Sequence, residues 1–343
     1  MRSVFISYIV PCYNVQAYLQ RSLDSLFPQS IEDGSAIEFI LVNDGSTDDT
    51  LSLLKKFAEK DKRAIVIDQQ NKGVSAARNA GLKVAKGKFV FFLDGDDYLT
   101  YDASQIIYDV CQTDIPDILV TNAYSIKEGQ WDVKYEWNTC NDLSVGTYRT
   151  LEFAKEVCSL PISFKVYRRE ILEKNSVSFA EDLRVGEVYT FFLTALTCSD
   201  RISYTDKRIM NYVVRKNSVM RTVNLERDGS IIQTIRRIDE IARRKMPELL
   251  DYSSYKLGLY YIVNKFGIFN YVNKSSYNAE VGKLLESIRH NSIYRNVQMY
   301  YMQSCFGLNK KTFYNILLYY FPVFITYHLL RLRKKIKGLL FFY

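Results

Sequence analysis

Short apolar runs alternating with segments of helical period organise the first 122 residues. Residues 5–10, 37–42, 64–67, 89–93 and 118–121 are short apolar runs rich in β-branched or aromatic residues, and each run stops at Pro, Asn, Asp or a small loop. That is the pattern of strands buried on both faces. Between the first four lie residues 15–27, with Tyr18, Leu19, Leu23 and Leu26 on one face, residues 50–60, with Leu51, Leu54 and Phe57, and residues 74–86. Apolar positions one turn apart predict amphipathic helices. Strand and helix therefore alternate, which predicts parallel βαβ units: an α/β fold with a mostly parallel central sheet, helices on both faces, and ligands gathered at the carboxyl ends of the strands. After residue 122 the pattern loosens into a hairpin-like stretch at 131–137, then short helices and strands to about 222. From 229 onward Ile232, Ile235, Ile238 and Ile241, about one turn apart, open a mostly helical, Tyr-rich region.

The chain has 343 residues, enough for a main domain and a second domain or large appendage. With 48% hydrophobic residues, 15 Gly and 6 Pro, it is a folded globular chain and not a collagen-like, linker-like or disordered one. The net charge of +8 is uneven: residues 1–230 sum to −4 and residues 231–343 to +12. Any basic surface belongs to the C-terminal third. Six dispersed cysteines without a Cys-x-x-Cys pair suggest neither a zinc site nor a disulfide framework, so a reducing, cytoplasmic compartment is expected. Two histidines, His290 and His328, leave little for a His-ligated metal or a Ser-His-Asp triad. Catalysis would fall to carboxylates. The N-terminal MRSVFISYIV passes at once into PCYN without a small-residue cleavage site and reads as a strand. The nearest approach to a spanning segment, residues 313–330, is broken by Asn315, Pro322 and His328.

Three segments carry candidate chemistry. The apolar run 89–93 ends in Asp94-Gly95-Asp96-Asp97, three carboxylates where such a sheet binds ligands. Carboxylates packed this closely repel unless a cation or solvent separates them. Their hard oxygens fit Mg²⁺ or Mn²⁺ held jointly with substrate phosphates, although Asp-Gly-Asp-Asp is also ordinary turn chemistry. The second segment, residues 43–50, follows the run 37–42; Asp48 suits an N-cap of the next helix, while Asp44, nearest the strand end, can accept from a ribose hydroxyl or a base edge. The third, residues 71–81, is a small-residue helix start carrying Lys72 and Arg78, which fits a diphosphate site or a helix packed tightly on the sheet.

IVPCYNVQAYLQRSLDSL, LVNDGSTDDT, NKGVSAARNAGL and GKFVFFLDGDDYL, in this order and spacing, resemble the family 2 glycosyltransferases. The resemblance is dense over residues 5–100 and looser to about 222. It implies inverting enzymes with the Rossmann-like GT-A fold that bind a nucleotide-diphospho-sugar. On that basis residues 1–222 form the transferase domain, with a nucleotide-sugar half at 1–122 and an acceptor half at 123–222, followed by a helical region at 223–343. The resemblance further implies that Pro11 and Tyr13 line the nucleobase pocket, Asp44 holds the base or ribose, Arg78 approaches the diphosphate, and Asp94 and Asp96 form the Asp-x-Asp metal pair. The family carries a later Gly-Glu-Asp motif at the start of a helix facing the acceptor, whose aspartate usually serves as general base. Here Gly186-Glu187-Val188 fits that motif with valine in the aspartate's place, so Glu187 is the expected base and Asp182, in the preceding acidic loop, its reserve. One carboxylate suffices to take a proton from an acceptor hydroxyl. In the basic segment 212–221, Arg215 or Ser218 can reach the diphosphate, or the segment is an exposed loop.

The absence of a Gln-x-x-Arg-Trp motif, the only tryptophans being Trp131 and Trp137, favours single additions over processive synthesis. The expectation is transfer of one sugar from a nucleotide-diphosphate donor, UDP-linked before GDP- or TDP-linked, to a glycan or lipid-linked glycan acceptor in surface polysaccharide synthesis. A sugar nucleotidyltransferase would show a Gly-rich, basic first strand–helix loop, which PCYNVQAY lacks; a non-catalytic nucleotide-sugar-binding subunit is the other alternative. Nucleic-acid binding has no motif behind it. Residues 313–330 offer apolar and aromatic positions at spacings of one, three or four, followed by Arg331, Arg333, Lys334, Lys335 and Lys337. That combination predicts attachment of 313–343 to an anionic membrane surface, hence a peripheral location on the inner face of the cell membrane; a core helix with a solvated basic tail is the competing reading.

Overall fold

The computed structural model describes residues 3–138, 140, 143–156, 164–215, 230–251, 283, 286 and 290–293. The chain divides into two compact units, residues 1–181 with 187–216, and residues 182–186 with 217–343.

The first unit is built on one ten-stranded sheet with the central order β3-β2-β1-β4-β9-β6-β10-β5. Strands β1 (Val4–Cys12), β2 (Ala36–Asp44), β3 (Ala64–Gln69) and β4 (Phe89–Phe92) run parallel. They are the apolar runs of the sequence, and their connections are helices α1 (Gln16–Leu26), α2 (Thr50–Lys60) and α3 (Val74–Val84). Because β1 lies between β2 and β4, the chain reverses its direction of growth there, and the carboxyl ends of β1 and β4 diverge into a crevice. Period-2 alternation explains the two buried faces. Tyr8, Phe39, Leu41 and Phe91 pack with Leu19, Leu23, Leu54 and Phe57 of α1 and α2, while Ile9, Ile40, Val42 and Val90 pack with Ala77 of α3. On that second face a Cβ at Gly81 would stand 2.4 Å from Ile9 Cγ2, so α3 lies as close to β1 as its small residues permit.

The remaining strands are β5 (Tyr98–Leu99), β6 (Ile118–Lys127), β7 (Lys134–Trp137), β8 (Gly146–Arg149), β9 (Lys165–Arg168) and β10 (Arg201–Val214). Strand β9 is antiparallel to both β4 and β6, which breaks the parallel run. The expected hairpin is present as β6 against β7, with Ala123 opposite Trp137. Helices α4 (Ala103–Asp114), α5 (Thr150–Glu156), α6 (Arg169–Lys174) and α7 (Glu187–Leu196) complete the unit. The resulting α/β sheet with flanking helices is the fold class the sequence pattern predicted.

In the second unit, helix α8 (Ile231–Lys245) buries Ile231, Ile235, Ile238 and Ala242. This face differs from the three-residue ladder Ile232, Ile235, Ile238, Ile241 read from the sequence, because a strict spacing of three drifts around a 3.6-residue helix. The segment 313–343, expected at a membrane surface, lies outside the described residues, as do residues 216–221 of the basic segment. Among the described residues no helix is long and apolar enough to cross a membrane.

Candidate active site

The Asp94–Asp97 loop leaves β4 at the crevice beside β1. A Cβ on Gly95 would meet Cys12 Sγ at 3.1 Å, the Pro11 carbonyl at 3.2 Å and Val15 Cγ2 at 3.3 Å, so glycine lets this loop lie against the end of β1. The first two aspartates of the triplet then meet different arginines. Asp94 Oδ1 accepts from Arg78 Nη2 at 2.8 Å, and Asp96 Oδ2 pairs with Arg215 Nε at 2.6 Å. Arg78 is buried, and its other nitrogen Nη1 reaches Glu187 Oε1 at 3.4 Å. One guanidinium thus bridges the strand-end loop and the first residue of α7. Burial opposes the charge on Arg78, but the carboxylates of Asp94 and Glu187 outweigh it and raise its pKa. Glu187 is itself pushed above the usual carboxylate range, by burial first, with the charge of Arg78 pulling the other way.

Asp96 is also raised, by burial and then by the charge of Asp94, against the pull of Arg215. Asp97 is buried and raised further, by burial and by its two acidic neighbours. Its Oδ1 accepts the backbone N–H of Val213 at 2.8 Å. That bond holds the end of β10 against the loop, two residues before Arg215. Arg215 in turn lies over the ring of Tyr18, 5.1 Å from the centroid, and the Tyr18 hydroxyl donates to Glu128 at 2.7 Å.

The other residues singled out by sequence fall around this centre. Pro11 is buried at the end of β1, and Tyr13 beside it is 49% exposed. Asp44 is buried at the end of β2, and both its oxygens are engaged by the next loop: Oδ1 by Gln69 Nε2 and the Lys72 N–H, Oδ2 by the Gly73 N–H, all at 2.8–2.9 Å. Asp44 therefore shapes the 69–73 loop, while the Lys72 side chain is exposed. Asp48 does not occupy the N-cap position of α2, which is Asp49; one of its oxygens accepts from Thr50 N–H and the other from Gln16 N–H, joining the starts of α2 and α1. Asp182 belongs to the second unit, where its Oδ2 accepts from Gln233 Nε2 at 2.7 Å and Arg237 Nη2 at 3.0 Å.

Three residues near the centre had no individual site role in the sequence reading: Asp97, Tyr18 and Asn79. Asn79 Oδ1 accepts the Phe179 N–H at 2.8 Å and its Nδ2 donates to the Phe179 carbonyl at 2.9 Å, fixing Phe179 under Arg78, 5.1 Å from the guanidinium. Phe179 stacks on Phe191 of α7 at 4.0 Å. The signal available was the adjacency of Asn79 to Arg78 on a small-residue helix. The donor set suits a divalent ion. Among the described residues no three side chains cluster as a self-sufficient metal cage, but Asp94 and Asp96 each give one oxygen to an arginine, and one or two carboxylates completed by substrate phosphates are what Mg²⁺ takes.

Comparison with known proteins agrees with this architecture. The family model described as Glycosyl transferase family 2 matches residues 7–176. The glycosyltransferase EpsJ of Bacillus subtilis (strain 168) is 33% identical over 215 residues, covering 62% of this chain and 61% of EpsJ, so the match spans less than two thirds of that relative's length. Glycosyltransferase GlyG of Streptococcus pneumoniae serotype 4 is 30% identical over 231 residues, covering 64% of this chain and 74% of GlyG. Among solved structures, S. aureus TarS 1-349 in complex with UDP-GlcNAc superposes with a TM-score of 0.71 at 21% identity, covering 97% of this chain and 92% of that one, a likeness of fold. With the crevice at the end of β4, the acidic triplet and these relatives together, the chain belongs to glycosyl transferase family 2.

Proposed function

We propose that this chain is an inverting, non-processive glycosyltransferase that moves a single sugar from a nucleotide-diphosphate donor to an acceptor hydroxyl. The observation that carries the reading is the bridge Asp94–Arg78–Glu187, which ties the strand-end carboxylates to one partly buried glutamate at a helix start. Asp94 and Asp96 would hold Mg²⁺ or Mn²⁺ together with the donor diphosphate. When bound, the ion supplies Lewis-acid neutralisation of the leaving group. Arg78 and Arg215 add charge-assisted bonds to phosphate oxygens, Pro11 and Tyr13 flank the base, Asp44 and Lys72 border its pocket, and Glu187 accepts the acceptor proton. In one displacement the acceptor oxygen bonds to the anomeric carbon, the bond from that carbon to the diphosphate oxygen breaks, and the configuration inverts.

A raised pKa suits Glu187 to this role, since a base works best when its pKa lies near the operating pH. The TarS structure with UDP-GlcNAc favours a UDP-linked donor, and a Bacillus spizizenii relative named poly(ribitol-phosphate) beta-glucosyltransferase favours a polymeric acceptor; a glycan or lipid-linked glycan of surface polysaccharide synthesis is what the family resemblance implies. The basic, aromatic 313–343 segment favours work at the inner membrane surface. Val188, where an aspartate is usual, favours the second reading, a nucleotide-sugar-binding subunit without turnover. UDP release from a panel of UDP-sugars, with Mn²⁺ and with chelator, separates the two: metal-dependent release supports the transferase, whereas binding without release supports the subunit.

A further inference from the structure

Beside Asp96 a groove of about 300 Å³ opens along α1, lined by Tyr18, Gln20, Arg21, Asp24 and Trp131. The Arg21 guanidinium lies 3.6 Å from the centroid of the Trp131 ring and 5.7 Å from that of Tyr98. Stacking on two aromatic rings fixes a side chain that would otherwise sample many rotamers, so this wall is set before any ligand arrives. Unlike Arg78 and Arg215, Arg21 meets no carboxylate among the described residues, and its nitrogens keep their donors for the groove. On the same helix Gln20 Nε2 donates to Asp24 Oδ1 at 2.7 Å, which orients an amide and a carboxylate side by side.

The charges balance: Arg21 against Asp24 within the lining, and Asp96 against its ion-pair partner Arg215 beside it. A polyanion gains nothing from such a field, and a simple apolar ligand would leave the amide, guanidinium and carboxylate unanswered. A neutral polyol, whose hydroxyls both donate and accept while its C–H faces pack on flat rings, satisfies all of them. The volume lies at the lower end of the range for small-molecule sites. Asp96, assigned above to the metal that accompanies the diphosphate, is part of the lining.

We infer that this groove is a subsite for a neutral saccharide unit of the acceptor glycan, removed from the hydroxyl that reacts, with Arg21 and Trp131 selecting it. The acceptor role rests on the transferase reading; saccharide binding itself does not. Trp131 is a built-in reporter, because the chain has two tryptophans and the other, Trp137, packs against Phe164 and Tyr212. The probes are maltose, cellobiose, lactose and diacetylchitobiose, with glucose 6-phosphate and glucuronic acid as anionic contrasts, titrated against tryptophan emission of the full chain. UDP with Mn²⁺ is tested by thermal shift on the same samples.

At least one neutral disaccharide is expected to change the emission saturably. Trp131→Phe should abolish the change, and Arg21→Ala should weaken binding about tenfold or more while keeping the UDP response. No response to any neutral saccharide, with UDP stabilisation intact, overturns the groove inference and spares the transferase reading. A response confined to the anionic sugars overturns it too. Absence of nucleotide stabilisation would remove the transferase reading and the acceptor role with it.

Discussion

Arg215 Nε lies 2.6 Å from Asp96 Oδ2, an ion pair made possible because Asp97, the next residue, binds the backbone of Val213 and holds the end of β10 in place. Asp96→Asn keeps the volume and removes the charge. We expect native thermal stability, loss of Mn²⁺-dependent stabilisation by UDP, and a fall in sugar transfer of about 100-fold or more. Full transfer by Asp96→Asn, or transfer undiminished by excess chelator, would refute the metal assignment.

Glu187→Gln should lower kcat by about 10²–10⁴-fold while the donor KM barely changes, since a base acts in the transition state and not in donor binding. The raised carboxyl pKa gives the sign of the pH profile: Glu187 must be ionised to accept a proton, so wild-type kcat falls as pH drops through a value above the ordinary carboxylate range. Arg78→Met removes the positive charge that holds this pKa down, so the acid limb should move to still higher pH. An acid limb that stays put in Arg78→Met would show that another group is titrating.

Gly186, immediately before Glu187, has φ +76, and a Cβ there would stand 2.4 Å from Thr234 Cγ2. Thr234 Oγ1 also donates to the Val185 carbonyl at 2.5 Å. Gly186→Ala is therefore expected to cost about 2–4 kcal/mol, combining backbone strain with overpacking. Thermal unfolding measures it. Asp182→Asn, which weakens one acceptor shared by Gln233 and Arg237, should be mild in both stability and turnover; a turnover loss matching that of Glu187→Gln would transfer the base role to Asp182.

Truncation after residue 312 tests the basic, aromatic end. The intact chain should co-sediment with vesicles containing anionic lipid, less so as salt is raised, and the truncated chain should not, while it still releases UDP from a soluble donor. Unfolding on truncation, together with indifference of the intact chain to anionic vesicles, would identify the segment as core.

The first four strands and three helices were legible because each element announces itself locally. A strand buried on both faces must be apolar nearly throughout, as in Phe39–Val42, and an amphipathic helix must repeat near 3.6, as in Leu19, Leu23 and Leu26. The acidic triplet was equally visible, since its meaning depends on following an apolar strand. Those local signals, with their order, determined the fold class and the family from sequence alone. What the tertiary structure decided is pairing between distant residues. No local pattern tells that Arg78 divides itself between Asp94 and Glu187, that Arg215 closes on Asp96, or that both oxygens of Asp44 turn to the 69–73 loop. The physical reason is that a side chain's partner depends on which strand ends the sheet brings together, and that order, with β1 between β2 and β4 and β10 beside β6, arises only when the whole sheet closes its core.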